Sequence, residues 1–387
     1  MQTNIIPLLI IYYIVLMIIS IITIKFNRSI DKIIGFLFII FFLLIITFRP
    51  DNFPDSKPYM MLFDSIDKYD MIWKIGKNPL GYENWFINLT KIIDYFINSY
   101  RFYFFIIGSL NLYIYIYSLL SLISLSLDTE LKKIRIIPLL LIFLPYFGIM
   151  YTAIALRAGL AISFGLLSLT FIIRKKFLFA IIFSFLCIAF HDSGIIMVLA
   201  ILLFNFIPSF SEKVYLNASI FLLLLYITKI TNLFNNDLLI LLNIIFDKVP
   251  VFNLIRNYIN NYLDISSIEN SPIKLSILFF LLQFFFLATI AKKRHFTYIQ
   301  KKIFNIVFIG SIIAVFFSFL PVVLRGLDMY FVCIIPVISS LIYRRNYILI
   351  DMEIKNTSMV IVDNALIMIG FIGICVIYLL MLIRMVI

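Results

Sequence analysis

The chain alternates between long runs of Ile, Leu, Phe and Val and short patches of charged residues, and this pattern covers nearly its whole length. An apolar run of about 20 residues is long enough to cross a bilayer as an α-helix. Closed membrane barrels instead alternate apolar and polar residues one by one, which this chain does not do. The pattern therefore predicts an all-α, polytopic integral membrane protein with about 12 transmembrane helices, within a range of roughly 10 to 13.

The boundaries of the predicted spans follow the ends of the apolar runs. The segments are 4–24, 33–48, 102–127, 134–151, 152–173, 177–190, 194–208, 214–230, 274–291, 303–323, 327–343 and 364–383. The first run has no basic leader and no small-residue cleavage site, so we expect a retained span rather than a signal peptide. Residues 1–387 are predicted to form a single polytopic membrane domain.

Basic residues cluster in the short connections and predict the orientation of the chain. The patches are Lys25–Lys32, Lys132–Arg135, Arg174–Lys176, Lys292–Lys302 and Arg344–Arg345. All of them fall on one face if about twelve helices cross and the N-terminus is outside, and the positive-inside rule makes that face cytoplasmic. The net charge of +12 is thus explained by membrane orientation, and no nucleic-acid partner is expected.

Composition agrees with a membrane protein. Hydrophobic residues make up 63% of the chain and the mean hydropathy is +1.09, whereas a soluble domain is about half apolar. Cys187, Cys333 and Cys375 lie within apolar runs, so they are interpreted as small core residues that form neither a disulfide nor a metal motif.

Charge placement also predicts a hairpin at residues 177–208. A single crossing there would put the Lys292–Lys302 patch outside, whereas two arms of about 14 or 15 residues, roughly 22 Å each, keep it inside. The His191–Asp192 pair at the hairpin tip is then predicted to face outward. The connections 49–101 and 231–273 are also predicted to lie outside, the first with an amphipathic helix and the second with interfacial helices.

Unusual polar side chains gather at the predicted outer ends of the spans. They are Arg49, Arg157, Arg325, His191, Asp192 and Asp328, with Asp51, Glu83 and Arg256 in the two outer loops. Arg157 is predicted to lie one to two turns inside its span. Because a charged side chain at the bilayer centre costs at least about 2.5 kcal/mol, Arg157 should face a polar cavity and a partner.

Each of the other candidates also has a purely structural interpretation. Arg49 and Arg325 can be interfacial anchors whose guanidinium groups reach the lipid headgroups. His191 can be a satisfied core residue at a helix end, and Asp192 can be a helix cap. These alternatives remain open from the sequence alone.

Several arginines beside a histidine and carboxylates are suited to a diphosphate ligand. Guanidinium groups bind phosphate oxygens bidentately, and a neighbouring His or carboxylate can take a proton from a hydroxyl nucleophile. The sequence has no nucleotide fingerprint, zinc spacing or G-x-S-x-G motif, so a cytosolic activated substrate is not expected. The pattern predicts a site that binds a lipid diphosphate at the outer leaflet and joins its cargo to an alcohol.

Four short segments resemble the EpsG-like branch of the Wzy-type bacterial polysaccharide polymerases. They are "FRPDNFPDSKPYMMLF", "ALRAGLAISF", "AFHDSGIIM" and "LRGLDMYF", and their order and spacing cover about residues 45 to 335. The resemblance implies a glycosyltransferase that needs no metal or other cofactor. Its expected partners are undecaprenyl-pyrophosphate-linked oligosaccharides and the bilayer, with a chain-length regulator as a further candidate partner. The resemblance places it in the bacterial cytoplasmic membrane, with its active site toward the periplasm or cell exterior.

The resemblance also implies a role for each candidate residue. Arg157 and Arg325 would hold the donor diphosphate as it leaves, Arg49 would assist either lipid-linked substrate, and Arg256 would add a further guanidinium. His191 would be the acceptor base with Asp192 orienting it, and Glu83 or Asp51 would be the reserve base. Such an enzyme would assemble O-antigen, capsule or exopolysaccharide.

Three other functions share part of this pattern. A flippase for the same lipid-linked oligosaccharide would also have many spans and cavity arginines, but its cations should be reachable from both leaflets. An O-antigen ligase would differ in its acceptor, and a membrane acyltransferase would need its catalytic histidine near a cytoplasmic acyl donor. The outward clustering of the polar groups favours the polymerase.

Overall fold

The computed structural model describes most of the chain up to residue 341. The described residues are 5–23, 28–78, 81–235, 274–294, 296–318 and 321–341, with isolated positions at 237, 240, 244, 373 and 380. Regular structure in these stretches is helical, apart from an isolated antiparallel bridge between Lys77 and Glu83. The all-α class predicted from the apolar runs is confirmed for this part of the chain.

The chain divides into two compact units, residues Met1–Val198 with Ser339–Ile387, and residues Leu199–Ile338. The helices of the first unit are α1 (Ile5–Thr23), α2 (Arg28–Thr47), α3 (Ser56–Asp64), α4 (Asn84–Phe96), α5 (Tyr100–Leu127), α6 (Ile137–Phe143), α7 (Leu156–Ile173) and α8 (Phe177–Phe190). The division falls within α9 (Gly194–Phe206). The second unit continues with α10 (Glu212–Thr228), α11 (Leu275–Arg294), α12 (Tyr298–Phe316) and α13 (Pro321–Phe331).

Five helices of the described chain are long and apolar enough to cross a membrane. They are Ser29–Thr47, Tyr100–Leu127, Leu156–Ile173, Leu275–Lys293 and Tyr298–Phe316. Shorter apolar helices occupy the predicted spans 4–24, 134–151, 177–190, 194–208 and 327–343, and α10 covers most of 214–230. Nearly all of the predicted span 364–383 lies outside the described residues. The chain is therefore of the membrane type, and the total of about twelve crossings stays a prediction.

Two helices begin earlier than the predicted spans because polar residues join their first turns. The carboxylate of Asp31, in the first turn of α2, accepts a hydrogen bond from the Ile136 backbone N–H at 2.7 Å. At the start of α12, the Thr297 hydroxyl accepts from the Gln300 N–H at 3.2 Å, and the Gln300 side chain accepts from the Thr297 N–H at 2.8 Å. This reciprocal cap extends a helix into polar sequence, where hydropathy alone ends the span.

Helix α7 is central to the first unit, and its start depends on a close approach to the preceding segment. Residues Leu144–Gly148 and Met150–Ile154 form π-helical turns that lead into α7. A Cβ atom on Gly159 would lie 1.9 Å from the Tyr151 carbonyl oxygen, so only glycine fits there. Asn111 of α5 donates to the same carbonyl at 2.6 Å. These contacts fix where α7 begins.

Helix α4 lies within the predicted loop 49–101 and packs one face against the helical core. Phe86 and Ile87 are buried, whereas Tyr95 and Phe96 are exposed. The ring of Trp85 lies 5.4 Å from that of Phe185 in α8. The helix therefore has a buried face toward the core, and the predicted amphipathic, interfacial character of loop 49–101 stays a prediction.

In the second unit, Lys302 closes the C-terminal end of α9. Its ammonium donates to the carbonyl oxygens of Phe204, Asn205 and Ile207 at 3.1, 3.4 and 2.6 Å. The residue is 6% exposed. A cation at this position satisfies carbonyls that have no partner within the helix and interacts favourably with the negative end of the helix dipole.

Replacement of Lys302 by methionine should lower the free energy of unfolding by about 3 kcal/mol, because three carbonyls lose a charged donor. Thermal unfolding of the purified protein in detergent would measure this. Lys292→Met, at an exposed position of α11, is the matched control and should change stability by less than about 0.5 kcal/mol. Equal melting temperatures for the two variants would contradict the capping role.

Candidate functional site

The connection between α3 and α4 closes on itself at residues 76–78 and 81–84, which we name the clasp loop. The Asn78 N–H donates to the Tyr82 carbonyl at 2.9 Å, and the Asn84 N–H donates to the Gly76 carbonyl at 2.9 Å. Gly76 has a φ of +144°, a conformation that only glycine adopts readily. The clasp loop presents its charged side chains to two different parts of the helical core.

One end of the clasp loop holds Arg157 through a buried ion pair. The Arg157 Nη1 lies 2.5 Å from Glu83 Oε2 and 3.2 Å from the Gly81 carbonyl oxygen. The guanidinium also lies over the Tyr82 ring, 4.7 Å from its centroid. The Glu83 side chain is only 2% exposed, against 23% for Arg157. A buried carboxylate is tolerated here because the guanidinium compensates its charge.

Two polar atoms of this pair are buried without a hydrogen-bond partner among the described residues, Glu83 Oε1 and Arg157 Nε. Buried polar groups are nearly always paired, and the exceptions concentrate where a ligand or a reaction uses them. The pair therefore keeps one donor and one acceptor available for a further polar group.

The position of Arg157 differs from the sequence-based expectation. It was predicted to lie one to two turns inside its span, but α7 begins at Leu156, so Arg157 is the second helical residue. The π-helical turns that end at Ile154 take up the residues expected to start the span. The guanidinium thus lies at the positive end of the helix dipole, where a carboxylate or another anion is favoured.

Arg49, which follows α2, is buried against α3 and α5. Its Nε donates to the Ser56 hydroxyl at 2.7 Å, and its Cζ lies 3.7 Å from the centroid of the Phe104 ring. Arg49 is 2% exposed, and its Nη2 has no hydrogen-bond partner among the described residues. Burial lowers the pKa of Arg49 to about 10, so the side chain remains a cation at neutral pH.

Helix α3 connects the two arginines. Ser56 accepts a hydrogen bond from Arg49, and Tyr59, one turn later on the same face, lies close enough to Arg157 to interact with it electrostatically. Tyr59 is buried, and burial raises its pKa while the neighbouring Arg157 opposes that shift. One short helix therefore lies beside two guanidinium groups, the buried one of Arg49 and the partly buried one of Arg157.

The other end of the clasp loop holds the turn between α8 and α9. The Lys77 Nζ lies 2.6 Å from Asp192 Oδ2. The Nδ1 of His191 accepts a hydrogen bond from the Ser193 backbone N–H at 3.1 Å and lies 2.6 Å from the Ser193 hydroxyl. A backbone N–H can only donate, so Nδ1 is the unprotonated nitrogen and neutral His191 carries its proton on Nε2.

This geometry changes the interpretation of the predicted histidine base. Asp192 was expected to orient His191, yet its carboxylate is held by Lys77, and Ser193 occupies Nδ1 of the ring. Neutral His191 would present a donor at Nε2, whereas a base needs an unoccupied lone pair. Glu83, predicted only as a reserve base, lies in direct contact with Arg157.

The remaining predicted residues are not brought to this cluster by any described contact. Asp51 lies exposed in the turn after Arg49. Arg325 was predicted to lie between two spans together with Asp328, but both are part of α13 in the second unit. The side chain of Arg325 and the whole of Arg256 lie outside the described residues, as does nearly all of the predicted loop 231–273.

Sequence reasoning missed four residues of the cluster: Ser56, Tyr59, Lys77 and Tyr82. Tyr59 could not be singled out, because the chain has 22 tyrosines and no local motif marks this one. Lys77 lies in a mixed-charge loop and resembles a solvated side chain. In the part of the chain that the structure describes, no group of three or more His, Cys, Asp and Glu residues could hold a metal ion. Metal independence stays a prediction.

Arg49, Arg157 and Glu83 form a cluster of two guanidinium groups and one carboxylate around α3 and the clasp loop, which we name the arginine pocket. Each guanidinium also lies over an aromatic ring, that of Phe104 for Arg49 and that of Tyr82 for Arg157. Guanidinium groups offer planar donor forks that fit phosphate oxygens, and a carboxylate is a group that can accept a proton. The chemistry of the cluster is therefore suited to an anionic ligand.

No curated protein sequence and no solved structure matches the chain. The family model described as the EpsG family matches residues 32–386, a range that contains both arginines, the clasp loop and the turn at His191. The chain therefore belongs to the EpsG family, which indicates a membrane protein of the polymerase type in polysaccharide biosynthesis.

Proposed function

We propose that this protein is a membrane glycosyltransferase that polymerises undecaprenyl-pyrophosphate-linked oligosaccharide repeat units on the outer face of the cytoplasmic membrane. The observation that carries the proposal is the ion pair of Arg157 with the buried Glu83, together with the buried Arg49 bound to Ser56 of α3. Membership of the EpsG family supports the same class of reaction.

The arginines bind the diphosphate of the donor lipid. The phosphate oxygens compete with Glu83 for Arg157, whose Nε has no partner in the described residues, and they take up the unpartnered Nη2 of Arg49. As the glycosidic bond to the diphosphate breaks, negative charge grows on the leaving oxygen. Guanidinium groups fixed in a buried pocket stabilise that charge more than water does.

The transfer itself exchanges one bond for another. The bond between the anomeric carbon of the donor glycan and the diphosphate oxygen breaks, and its electron pair leaves with the diphosphate. A hydroxyl oxygen of the acceptor sugar forms the new glycosidic bond, and its proton passes to a protein base. The products are a glycan longer by one repeat unit and a free lipid diphosphate.

Glu83 is the proposed base. Its Oε2 is bound by Arg157 while its Oε1 is buried and unpartnered among the described residues, so one carboxylate oxygen can accept a proton. When the donor diphosphate binds Arg157, Glu83 Oε2 loses its guanidinium partner. Both carboxylate oxygens are then available to the acceptor hydroxyl. His191 then serves as a hydrogen-bond donor from Nε2.

The proposal includes the expected orientation and partners. The cluster faces the periplasm or cell exterior, the lipid tails of both substrates stay in the bilayer, and transfer needs no metal. Arg325 and Arg256 add to diphosphate binding, and a chain-length regulator sets the final glycan length. These elements rest on the family resemblance and the positive-inside pattern.

The proposal predicts that Glu83→Gln leaves single repeat units where the wild type makes a ladder of glycan lengths. The amide keeps an oxygen for Arg157 but cannot accept the proton. Lipid-linked glycans from a deletion strain carrying each variant would be separated by gel, with protein levels checked. Asp94→Asn is the matched control and should make a full ladder, since Asp94 lies near the C-terminal end of α4 whereas Glu83 caps its N-terminal end.

Two results would overturn parts of this assignment. A full ladder from Glu83→Gln at normal protein level would remove Glu83 as the base. Polymerisation in the deletion strain, or repeat units left on the cytoplasmic leaflet there, would reject the polymerase and favour the flippase.

A further inference from the structure

Arg101 is a cation at the same end of the first unit that the pocket described above does not use. Its Cζ lies 5.2 Å from the centroid of the Tyr100 ring and 5.7 Å from that of Phe48. No carboxylate of the described residues forms an ion pair with it. The guanidinium therefore keeps its hydrogen-bond donors for an anion from outside the chain.

An exposed apolar stripe on α2 leads to this arginine. Its residues recur at a helical spacing of three or four and so share one face. They are Ile33, Leu37, Phe41, Leu44 and Phe48, each at least 43% exposed. The stripe ends at Phe48, the residue against which Arg101 lies.

Midway along the stripe, α1 and α2 enclose a groove of about 400 Å³. Its lining consists of Leu8, Ile11, Tyr12, Val15, Leu37, Phe38 and Phe41. The Tyr12 hydroxyl donates to the Phe38 carbonyl at 3.0 Å, so the one polar side chain of the lining is already satisfied. The groove lies about 10 to 17 Å before Phe48 along the helix axis, since an α-helix rises about 1.5 Å per residue.

We propose that Arg101, the α2 stripe and the α1–α2 groove bind the acceptor lipid, with its phosphate at Arg101 and its polyprenyl chain along the stripe and in the groove. This inference rests on the proposed function. Polymerisation requires two lipid diphosphates at once, and the pocket of Arg157 and Arg49 serves only the donor. An apolar groove that leads to an unpaired cation has the chemistry of a lipid phosphate, apolar along its length and anionic at one end.

The two lipid sites adjoin each other at the end of α2. Phe48 is 64% exposed and meets Arg101, whereas the next residue, Arg49, is 2% exposed and meets Ser56 and Phe104. Two consecutive residues thus contact the two sites. An acceptor sugar carried by the lipid at Arg101 therefore starts close to the donor.

Photo-cross-linking of the purified full-length protein tests the site directly. The probe is a benzophenone-bearing farnesyl diphosphate, which is a short polyprenyl diphosphate, and labelled peptides are identified by mass spectrometry. Labelling should fall on α1 and α2 and decrease about tenfold or more in Arg101→Gln, as expected for loss of a charge-assisted contact. Leu37→Trp, which fills the groove, should have the same effect. Phe36→Trp is the control, because Phe36 is similarly exposed (60%, against 58% for Leu37) but does not line the groove.

Competition separates the polyprenyl substrate from an ordinary membrane lipid. Unlabelled undecaprenyl diphosphate should abolish labelling of α1 and α2, whereas phosphatidylglycerol at the same concentration should not. Equal competition by phosphatidylglycerol would overturn the proposal, as would labelling confined to other helices or equal labelling of Leu37→Trp and Phe36→Trp.

Steady-state kinetics test whether the site binds the acceptor rather than the donor. With reconstituted enzyme and saturating donor, Arg101→Gln should raise the KM for the acceptor about tenfold and leave the KM for the donor unchanged. A change in the donor KM alone would reject the acceptor assignment. If the wild-type protein forms no polymer, the proposed function fails, and the labelling experiment still decides whether the lipid site exists.

Discussion

Arg157→Ala is expected to abolish the glycan ladder, whereas Arg174→Ala at the other end of the same helix should preserve it. Arg157 holds the donor diphosphate in the proposed mechanism, and removal of one preorganised donor of this kind lowers a rate by about 100- to 1,000-fold. Arg174 ends α7 and donates to the Tyr117 hydroxyl at 3.4 Å, far from the clasp loop along the helix. Gel analysis of lipid-linked glycans measures both variants in one experiment.

The alanine variant also leaves Glu83 buried without its partner, which destabilises a protein by about 3 to 5 kcal/mol. Arg157→Lys separates stability from catalysis, because lysine keeps the positive charge but lacks the planar fork. The lysine variant should reach a normal level in the membrane and still make shorter glycans than wild type. A full ladder from Arg157→Lys would mean that only the charge matters, and a full ladder from Arg157→Ala would remove Arg157 from the site.

Gly159→Ala is expected to lower the free energy of unfolding far more than Gly108→Ala does. The new Cβ would lie 1.9 Å from the Tyr151 carbonyl oxygen and 2.3 Å from Asn111 Nδ2, so α7 must move away from the π-helical turn. Overpacking against backbone lowers stability by about 3 kcal/mol. Because α7 carries Arg157 in its first turn, the ladder should also shorten. Thermal unfolding and the glycan gel measure the two effects.

Gly108→Ala in α5 is the matched control. Its Cβ would lie 2.9 Å from the terminal methyl of Ile46, the flexible end of a side chain. Alanine favours a helix over glycine by up to about 1 kcal/mol. This gain in helix propensity nearly offsets the cost of crowding against Ile46. Similar melting temperatures for the two alanine variants would show that the approach of α7 to Tyr151 is not tightly constrained.

The fold class followed from hydropathy because apolar runs of membrane length have few alternative structures. Residues 177–190 were predicted as a span and form α8. The errors lie where a polar interaction decides a boundary. Hydropathy could not show that Asp31 caps the segment at Ile136, and it could not show that two π-helical turns shift the start of α7 to Leu156.

The site was predictable only as far as single residues carry a signal. Arg157 stood out because a cation inside an apolar run requires a partner, and the structure supplies Glu83. The identity of that partner was not predictable, since 73 residues separate Glu83 from Arg157 along the chain and no local sequence motif relates them. Asp192 beside His191 suggested an oriented base, but sequence adjacency says nothing about direction, and the carboxylate meets Lys77.

The clasp loop makes the two ends of the cluster mechanically dependent on each other. Lys77 and Glu83 are partners across one backbone bridge, where paired residues lie about 4.5 to 5.5 Å apart. One of them is tied to the α8–α9 turn and the other to the first turn of α7. The two ion pairs and the bridge therefore join the first turn of α7 to the turn that carries His191 through one short piece of backbone.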